Sequence, residues 1–314
     1  MSSKSPDLIF HAYPQSPVAE KVRLVFGIKG LDWLSVEIPR IPPKPFLLQL
    51  TGGYRRTPVM QIGADIYCDS QCIIRELERR FPTPTLFPDN NEGLLWALSR
   101  WTDGELFDLG VKIVLGSAGE KLPKDFAEDR GRLYLGPDWA EGLKKANAEL
   151  PHLVAQMRAS LSWLNNQLSD GRKFLCGDAP AAIDAQFYHI VWFLRGRWTQ
   201  GAALLSEFSN VETWEKSVAS IGHGQSSEMS PQQAIEVAAN HEPEANNLID
   251  RNDPQGLPIG AEVVVTPDVN GGEQPVQGSV RTSNVDEIIL TRHDEEAGEL
   301  AVHFPRAGYK VSLV

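Results

Sequence analysis

The sequence predicts an α/β domain, then an all-α helical domain, then a small antiparallel β barrel of the SH3-like type. In the first part of the chain, short apolar runs alternate with helical patterns of apolar residues. A proline-rich linker at 82–90 follows, and long amphipathic helical patterns dominate beyond it. Short β-rich runs separated by Gly, Pro, Asn and Asp fill the last segment. We therefore predict domains at residues 1–83, 91–242 and 255–314.

The first domain opens with a strand, a helix and a second strand. Leu8–His11 is a short apolar run that suits a strand. A helix is expected from Pro17, because proline suits the first helical turn and apolar residues recur after it at helical spacing. Trp33–Ile38 supplies the second strand, and a short helix is expected near 46–50.

A hairpin and a helix complete this domain. Val59–Ile62 and Ile66–Cys68 are short apolar runs on either side of the turn residues Gly63 and Asp65. The residues from Asp69 onward cap and form a helix with apolar positions at helical spacing. A strand-helix-strand unit followed by a strand-strand-helix unit is the layout of a thioredoxin-like domain.

Two details of this hairpin predict a binding site. Pro58 stands where a strand should begin, and a cis Thr57–Pro58 bond would direct the N–H and C=O of Thr57 out of the sheet. Asp69 and Ser70 place an acceptor and a hydroxyl beside the unpaired N–H groups of a helix end, which favours an anion. Together they suit the backbone and the acidic end of a short peptide. A plain hairpin followed by a capped helix is the alternative.

Three motifs in this order resemble the glutathione S-transferase family in its serine-type classes. They are Ser16-Pro17 followed by Lys21-Val22-Arg23, then Thr57-Pro58-Val59, then Asp69-Ser70. The resemblance covers residues 7 to about 220. It implies that glutathione is bound, with Thr57 contacting the cysteinyl backbone and Asp69 and Ser70 holding the γ-glutamyl end. It also implies that Lys44 or Arg56 pairs with the glycyl carboxylate.

Ser16 is the predicted catalytic residue, and Tyr13 in the same loop is the alternative. A serine hydroxyl at a helix N-terminus can stabilise a thiolate. A free thiol has a pKa of about 8.5, and lowering it by about two units corresponds to roughly 2.7 kcal/mol. The sequence departs from the family at two positions, since valine is usual at Thr57 and glutamate at Asp69. No cysteine stands at position 16, which argues against glutaredoxin-like chemistry.

The helical domain supplies candidates for the pocket of a second substrate. Arg100, Trp101 and Glu105 lie on its first long amphipathic pattern, and together with Tyr13 they are the predicted acceptor pocket. For Trp101 the core is favoured over a ligand contact, because an aromatic residue at helical spacing usually packs. Asp184, four residues into a capping segment, is interpreted as structural.

Composition excludes several function classes. The formal charge of -11 and the pI near 5.2 argue against nucleic acid and anionic membranes, since both require a basic face. The N-terminal apolar run is too short for a signal peptide, so a cytoplasmic protein is expected. The three cysteines lack the spacing of a zinc site or a disulfide framework, and no metal is expected.

The leading hypothesis is a glutathione-dependent transferase that attacks a small electrophile and serves in detoxification. The family resemblance also implies a two-fold homodimer. One alternative is a non-catalytic scaffold of the same fold that acts through its C-terminal β domain. Another is a thiol-disulfide reductase that uses Cys68 or Cys72, although neither stands at the family's redox position.

Overall fold

The computed structural model of the chain describes residues 7–269 and 271–314. Residues 1–6, for which we predict no signal peptide, lie outside the described residues. So does Asn270, in the predicted barrel. The chain divides into two compact units, instead of the three domains predicted. The first unit comprises residues up to Val22, Leu31–Arg79 and Gly224–Val314, and the second comprises Arg23–Gly30 and Arg80–His223.

The N-terminal elements form the predicted thioredoxin-like arrangement. They are β1 (Ile9–Ala12), α1 (Pro17–Lys29), β2 (Asp32–Glu37), α2 (Pro45–Thr51), β3 (Val59–Ile62), β4 (Asp65–Cys68) and α3 (Ser70–Arg80). Strand β1 pairs parallel with β2 and antiparallel with β3, which in turn pairs antiparallel with β4. All residues of β1, β3 and β4 are buried, as their apolar runs indicated. The prediction of a thioredoxin-like fold is confirmed.

The C-terminal segment contains strands and one helix. They are β5 (Gln225–Glu228), α12 (Pro231–Ala239), β6 (Leu248–Ile249), β7 (Glu262–Pro267), β8 (Val276–Ser283), β9 (Glu287–Asp294), β10 (Gly298–Pro305) and β11 (Tyr309–Leu313). These strands continue the thioredoxin-like sheet in the order β11-β7-β8-β9-β10-β4-β3-β1-β2-β5, with β6 beside β8. Strand β10 pairs parallel with β4, and β5 pairs parallel with β2. C-terminal strands therefore lie beside both outer strands of the thioredoxin-like sheet.

The predicted SH3-like barrel is not confirmed, because the sheet is open. Strands β11 and β5 stand at the two ends of its described strand order. Periodicity in the sequence identifies a strand but not its neighbour, and an outer strand such as β4 offers unpaired N–H and C=O groups to any other strand. Helix α12, which we placed in the helical domain, belongs to the first unit and packs against α2 and β10.

One apolar core unites the N-terminal and C-terminal parts of the first unit. Val59 and Ile66 of the hairpin pack in the same buried cluster as Ile235 of α12 and Val302 of β10. Because these residues are completely or almost completely removed from water, the C-terminal strands contribute directly to the stability of the thioredoxin-like part.

A buried charged cluster reinforces the junction of β4 and β10. Nε2 of His303 lies 2.9 Å from Oδ1 of Asp65, and its Nδ1 lies 3.2 Å from Oε2 of Glu287. The imidazole ring stacks on Tyr67 with centroids 4.2 Å apart. Burial alone lowers the pKa of His303, but the two carboxylates raise it above its ordinary value.

A second buried polar contact ties helix α12 to the sheet. The amide nitrogen of Gln61 donates to the carbonyl oxygens of Gly63 and Ala234, at 3.0 and 2.9 Å. Its Oε1 lies 3.0 Å from Nε2 of His11, so this nitrogen of His11 is the protonated one. Burial lowers the pKa of His11 to about 4.

The second unit is helical. Its elements include α4 (Glu92–Trp101), a π-helical turn (Thr102–Leu106), α5 (Phe107–Ala118), α6 (Lys124–Leu135), α7 (Trp139–Ala148), α8 (Leu150–Gln167), α9 (Ala182–Arg197), α10 (Gly201–Leu205) and α11 (Ser209–Ala219). Short 3-10 turns occupy Pro88–Asn90 and Gly119–Lys121.

Asp184, at the start of α9, is structural, as predicted. Its Oδ2 accepts from the backbone N–H of Ala181 at 2.9 Å. Its Oδ1 accepts from the N–H of Leu175 and from Nε1 of Trp214, both at 2.8 Å. This fully buried carboxylate therefore joins the loop before α9 to α11.

Candidate functional site

The register of the sheet brings the three predicted motifs to one end of it. Strands β1 and β3 pair His11 with Val59, and β3 and β4 pair Val59 with Cys68. The next positions along these strands are the loop that begins at Tyr13, the Thr57–Pro58 bond, and Asp69. Motifs that are far apart in the sequence therefore lie side by side.

Ser16 occupies the N-terminus of α1, as predicted. Its Oγ accepts a hydrogen bond from the backbone N–H of Ala19 at 3.2 Å. Its own N–H donates to the carbonyl of Tyr13 at 3.1 Å, which closes the loop between β1 and α1. The residue is only 2% exposed. A serine hydroxyl has both a donor and acceptor lone pairs, and a donor at a helix N-terminus is the group that stabilises an anion.

Lys44 contacts both Tyr13 and Thr57. The Lys44 ammonium lies 5.7 Å from the centroid of the Tyr13 ring. It donates to Oγ1 of Thr57 at 3.1 Å and to the carbonyl of Arg55 at 3.0 Å, and the residue is 2% exposed. The Thr57–Pro58 bond is cis, as predicted. Tyr13 is buried in the apolar core.

Asp69 and Ser70 stand at the beginning of α3. Asp69 has a φ of 77°, in the left-handed region, which is uncommon for a residue other than glycine. Its Oδ1 accepts from the N–H of Gln71 at 2.9 Å, so its side chain caps the helix. Ser70 is buried. Unusual backbone conformations are frequent at functional sites, where the surrounding structure holds them in place.

Sequence reasoning missed a contact on Asp69 from the C-terminal segment. The hydroxyl of Tyr309 donates to Oδ2 of Asp69 at 2.9 Å and lies 3.2 Å from the hydroxyl of Tyr54. Burial raises the pKa of both tyrosines well above the ordinary value, so both hydroxyls stay protonated and serve as donors.

Arg56 pairs with a carboxylate of the C-terminal segment, a contact that sequence reasoning missed. Its Nε and Nη2 donate to the two carboxylate oxygens of Glu273, at 2.6 and 2.7 Å. Nη2 also donates to the carbonyl of Val269 at 2.7 Å. Glu273 follows two glycines in a loop and is separated from Arg56 by 217 positions, so no local pattern indicated this pair.

The predicted acceptor residues of the helical domain lie in the second unit. Trp101 packs between Trp163 and Phe187, with ring centroids 5.9 and 5.8 Å apart, which supports the alternative that it is a packing residue. Arg100 and Glu105 are exposed, and their roles stay predictions. Glu105 lies in the π-helical turn between α4 and α5, a feature that often marks functional sites.

The cysteines are poorly suited to redox chemistry. Cys68 and Cys72 are both buried, and burial raises the pKa of each thiol well above its ordinary value. Among residues 7–269 and 271–314, no group of three or more His, Cys, Asp or Glu side chains is placed to hold a metal ion. No helix in the same described ranges has the length and apolar character needed to cross a bilayer.

Comparisons with known proteins agree with the geometry. The family models for the glutathione S-transferase N-terminal and C-terminal domains match residues 10–85 and 138–217. A GST-like protein from Pseudomonas syringae of known crystal structure is 35% identical, with a TM-score of 0.80, over 98% of this chain and 100% of that one.

Two more distant relatives are similar over a smaller part of the chain. A rice GST solved in complex with glutathione is 19% identical, with a TM-score of 0.50, over 74% of this chain and 94% of that one. That likeness concerns the fold. Glutathione S-transferase U4 of Arabidopsis thaliana is 24% identical over 101 residues, which are 31% of this chain and 45% of that relative. The match thus spans less than half of this curated relative.

Proposed function

Because the chain belongs to the glutathione S-transferase family, we propose that it is a glutathione transferase-like enzyme that acts on a small electrophile. Ser16 stabilises the glutathione thiolate, and the sulfur then forms a bond to an electrophilic carbon while a leaving group departs with its electron pair. The observation that carries this proposal is the placement of Ser16 at the N-terminus of α1, at the same end of the sheet as Thr57–Pro58 and Asp69–Ser70.

Each site residue has a role in this proposal. Thr57 contacts the cysteinyl backbone of glutathione, and Asp69 with Ser70 holds the γ-glutamyl end. Lys44 or Arg56 faces the glycyl end. The N-terminus of α1 supports the thiolate, since a helix N-terminus favours an anion by about 0.3–1 kcal/mol and a hydrogen bond to a charged group adds about 1.5–3 kcal/mol.

A titration of glutathione into the protein tests this function. Calorimetry should detect binding, and the absorbance of the thiolate should appear near neutral pH in the wild type. Ser16→Ala should keep the binding and lose the thiolate signal, whereas the matched control Tyr13→Phe should keep both. A thiolate signal that survives in Ser16→Ala and disappears in Tyr13→Phe would transfer the catalytic role to Tyr13.

One observation favours a second candidate, a non-catalytic glutathione-binding or scaffold protein. The C-terminal segment contacts Asp69 and Arg56, and Ser16 and Lys44 are almost fully buried. Such a protein acts through its C-terminal β domain and would give no turnover of a chromogenic aryl halide, whether or not it binds glutathione. Turnover that depends on Ser16 would exclude it.

The third alternative, a thiol-disulfide reductase, is disfavoured by the raised pKa of Cys68 and Cys72, because the thiolate is the reactive form. We further propose that the chain forms a homodimer, resides in the cytoplasm and serves in detoxification. Light scattering of the purified protein tests the first of these, with a mass of twice 34.7 kDa expected.

A further inference from the structure

The loop between β7 and β8 contributes a carboxylate to the predicted glutathione site. Both carboxylate oxygens of Glu273 accept from the guanidinium of Arg56, at 2.6 and 2.7 Å. The two parallel bonds form the bidentate geometry that a guanidinium adopts with any carboxylate. Glu273 thus occupies the face of Arg56 that a glycyl carboxylate would use. It lies outside both ranges that match the family models.

Glu273 is held firmly in this position. Its side chain is 4% exposed, and its Oε2 also accepts from the backbone N–H of Gly271 at 3.2 Å. Arg56 is further fixed by its bond to the carbonyl of Val269. Burial alone lowers the pKa of Arg56, but the bonds and charge of Glu273 raise it beyond the ordinary value. Removing one partner of such a pair leaves the other charge without compensation, so a ligand carboxylate displaces Glu273 only at a cost.

The second cation of the site is also engaged. Lys44 donates to the carbonyl of Arg55 and to Oγ1 of Thr57, which uses two of the three ammonium hydrogens. Lys44 is as deeply buried as Ser16. A ligand carboxylate at this position meets Arg56, which is already paired with Glu273, and Lys44, which already donates to Thr57 and to the carbonyl of Arg55.

We propose that Glu273 sets the specificity at this end of the site, so that the chain prefers thiol peptides of the γ-glutamyl-cysteinyl-glycine type whose C-terminal end carries no negative charge. An amide or an ester fits this description, and an amide N–H can donate to the Glu273 carboxylate. The discrimination arises because an amide N–H finds an acceptor in Glu273, whereas a carboxylate finds Arg56 already paired. This inference rests on the function proposed above.

Calorimetric titration with two probes tests the inference. The probes are glutathione with a free glycyl carboxylate and glutathione whose glycyl end is converted to the amide. The wild type should bind the amide about tenfold more tightly, the size expected for a partly exposed charge pair. Glu273→Gln should abolish or reverse this preference. Glu299→Gln is the matched control, since Glu299 of β10 also pairs with an arginine, Arg281 of β8, and it should keep the preference.

The outcomes separate this inference from the function on which it rests. Tighter binding of the free acid by the wild type, or the same preference in Glu273→Gln, overturns the role of Glu273 and leaves glutathione binding intact. Absence of binding of either probe to the wild type and to Glu273→Gln overturns both. If Glu273→Gln does not fold, the order of the two affinities in the wild type still decides the question.

Discussion

Acidification should destabilise the first unit through His11. The ring is buried, with 2% of the residue exposed, and its Nε2 donates to Gln61. Burial lowers its pKa from 6.5 to about 4. The unfolded chain therefore takes up a proton in a pH range where the folded chain does not. Since the folded pKa is the lower one, the stability is fully present above pH 6.5 and is lost as the pH falls toward about 4.

The size of this loss follows from the two pKa values. A difference of roughly 2.5 pKa units corresponds to about 3 kcal/mol when the full range is crossed. At pH 5 the unfolded chain is almost fully protonated at this position and the folded chain mostly is not, so about 2 kcal/mol is lost relative to pH 8. Because domains of this kind are stable by about 5–15 kcal/mol, the effect is large enough to measure.

Hydrogen exchange followed by mass spectrometry is the suitable assay. Peptides that cover β1 and β3 report the free energy of opening of the first unit alone, at pH 5, 6, 7 and 8, after correction for the intrinsic exchange rate. His11→Asn cannot titrate at this position, so its pH dependence should be flatter than that of the wild type. His152→Asn, in the second unit and exposed, is the matched control and should follow the wild type.

Parallel pH profiles for the wild type and His11→Asn would refute the reasoning. So would an NMR titration of the His11 ring with a midpoint near 6.5, because the proton would then bind the folded and unfolded chains equally.

Three other predictions concern His303, Asp184 and Tyr309. The raised pKa of His303 beside Asp65 gives the opposite sign, because its stabilisation is present below pH 6.5 and is lost as the pH rises through the folded pKa. After correction for the intrinsic exchange rate, the opening free energy of β10 should therefore fall at alkaline pH in the wild type and not in His303→Gln. Asp184→Asn should lower the free energy of unfolding by about 3 kcal/mol, because one of the three donors that bond Asp184 then meets an N–H instead of an acceptor. A loss below about 1 kcal/mol in thermal unfolding would contradict this. Tyr309→Phe keeps the ring but removes the donor to Asp69. The free energy of unfolding should therefore fall by about 1 kcal/mol, and calorimetry should show weaker thiol-peptide binding. If both quantities are unchanged, the contact is incidental.

Local patterns in the sequence were sufficient to predict the elements of the thioredoxin-like part. The hairpin predicted at Val59–Ile62 and Ile66–Cys68 is observed as β3 and β4, and the helix predicted after Asp69 begins at Ser70. In each case turn residues, a cap and an apolar period agreed with one another. Strand β5 escaped prediction, because Gln225–Glu228 is fully exposed and carries no apolar alternation.

The arrangement of the C-terminal strands could not be predicted in the same way. Their alternation identified the strands of the β7–β11 region, yet the pairing of Val302 with Ile66 depends on the edge that β4 leaves open and not on any pattern within β10. The site shows the same division. Ser16, Thr57 and Asp69 were found from short motifs, whereas Tyr309 and Glu273 reach the site through contacts between residues more than two hundred positions apart.

The pairing of β4 with β10 determines the order in which the chain can fold during its synthesis. Strand β4 leaves the ribosome before Arg80–His223, the larger part of the second unit, and its partner β10 leaves after it. At roughly 5–20 residues per second, the apolar hairpin waits on the order of tens of seconds for β10. Throughout this interval its unpaired edge is available to other nascent chains, which is the condition for aggregation. Charged residues or a chaperone that protects this edge would therefore matter more to the yield of the folded protein than to its final stability.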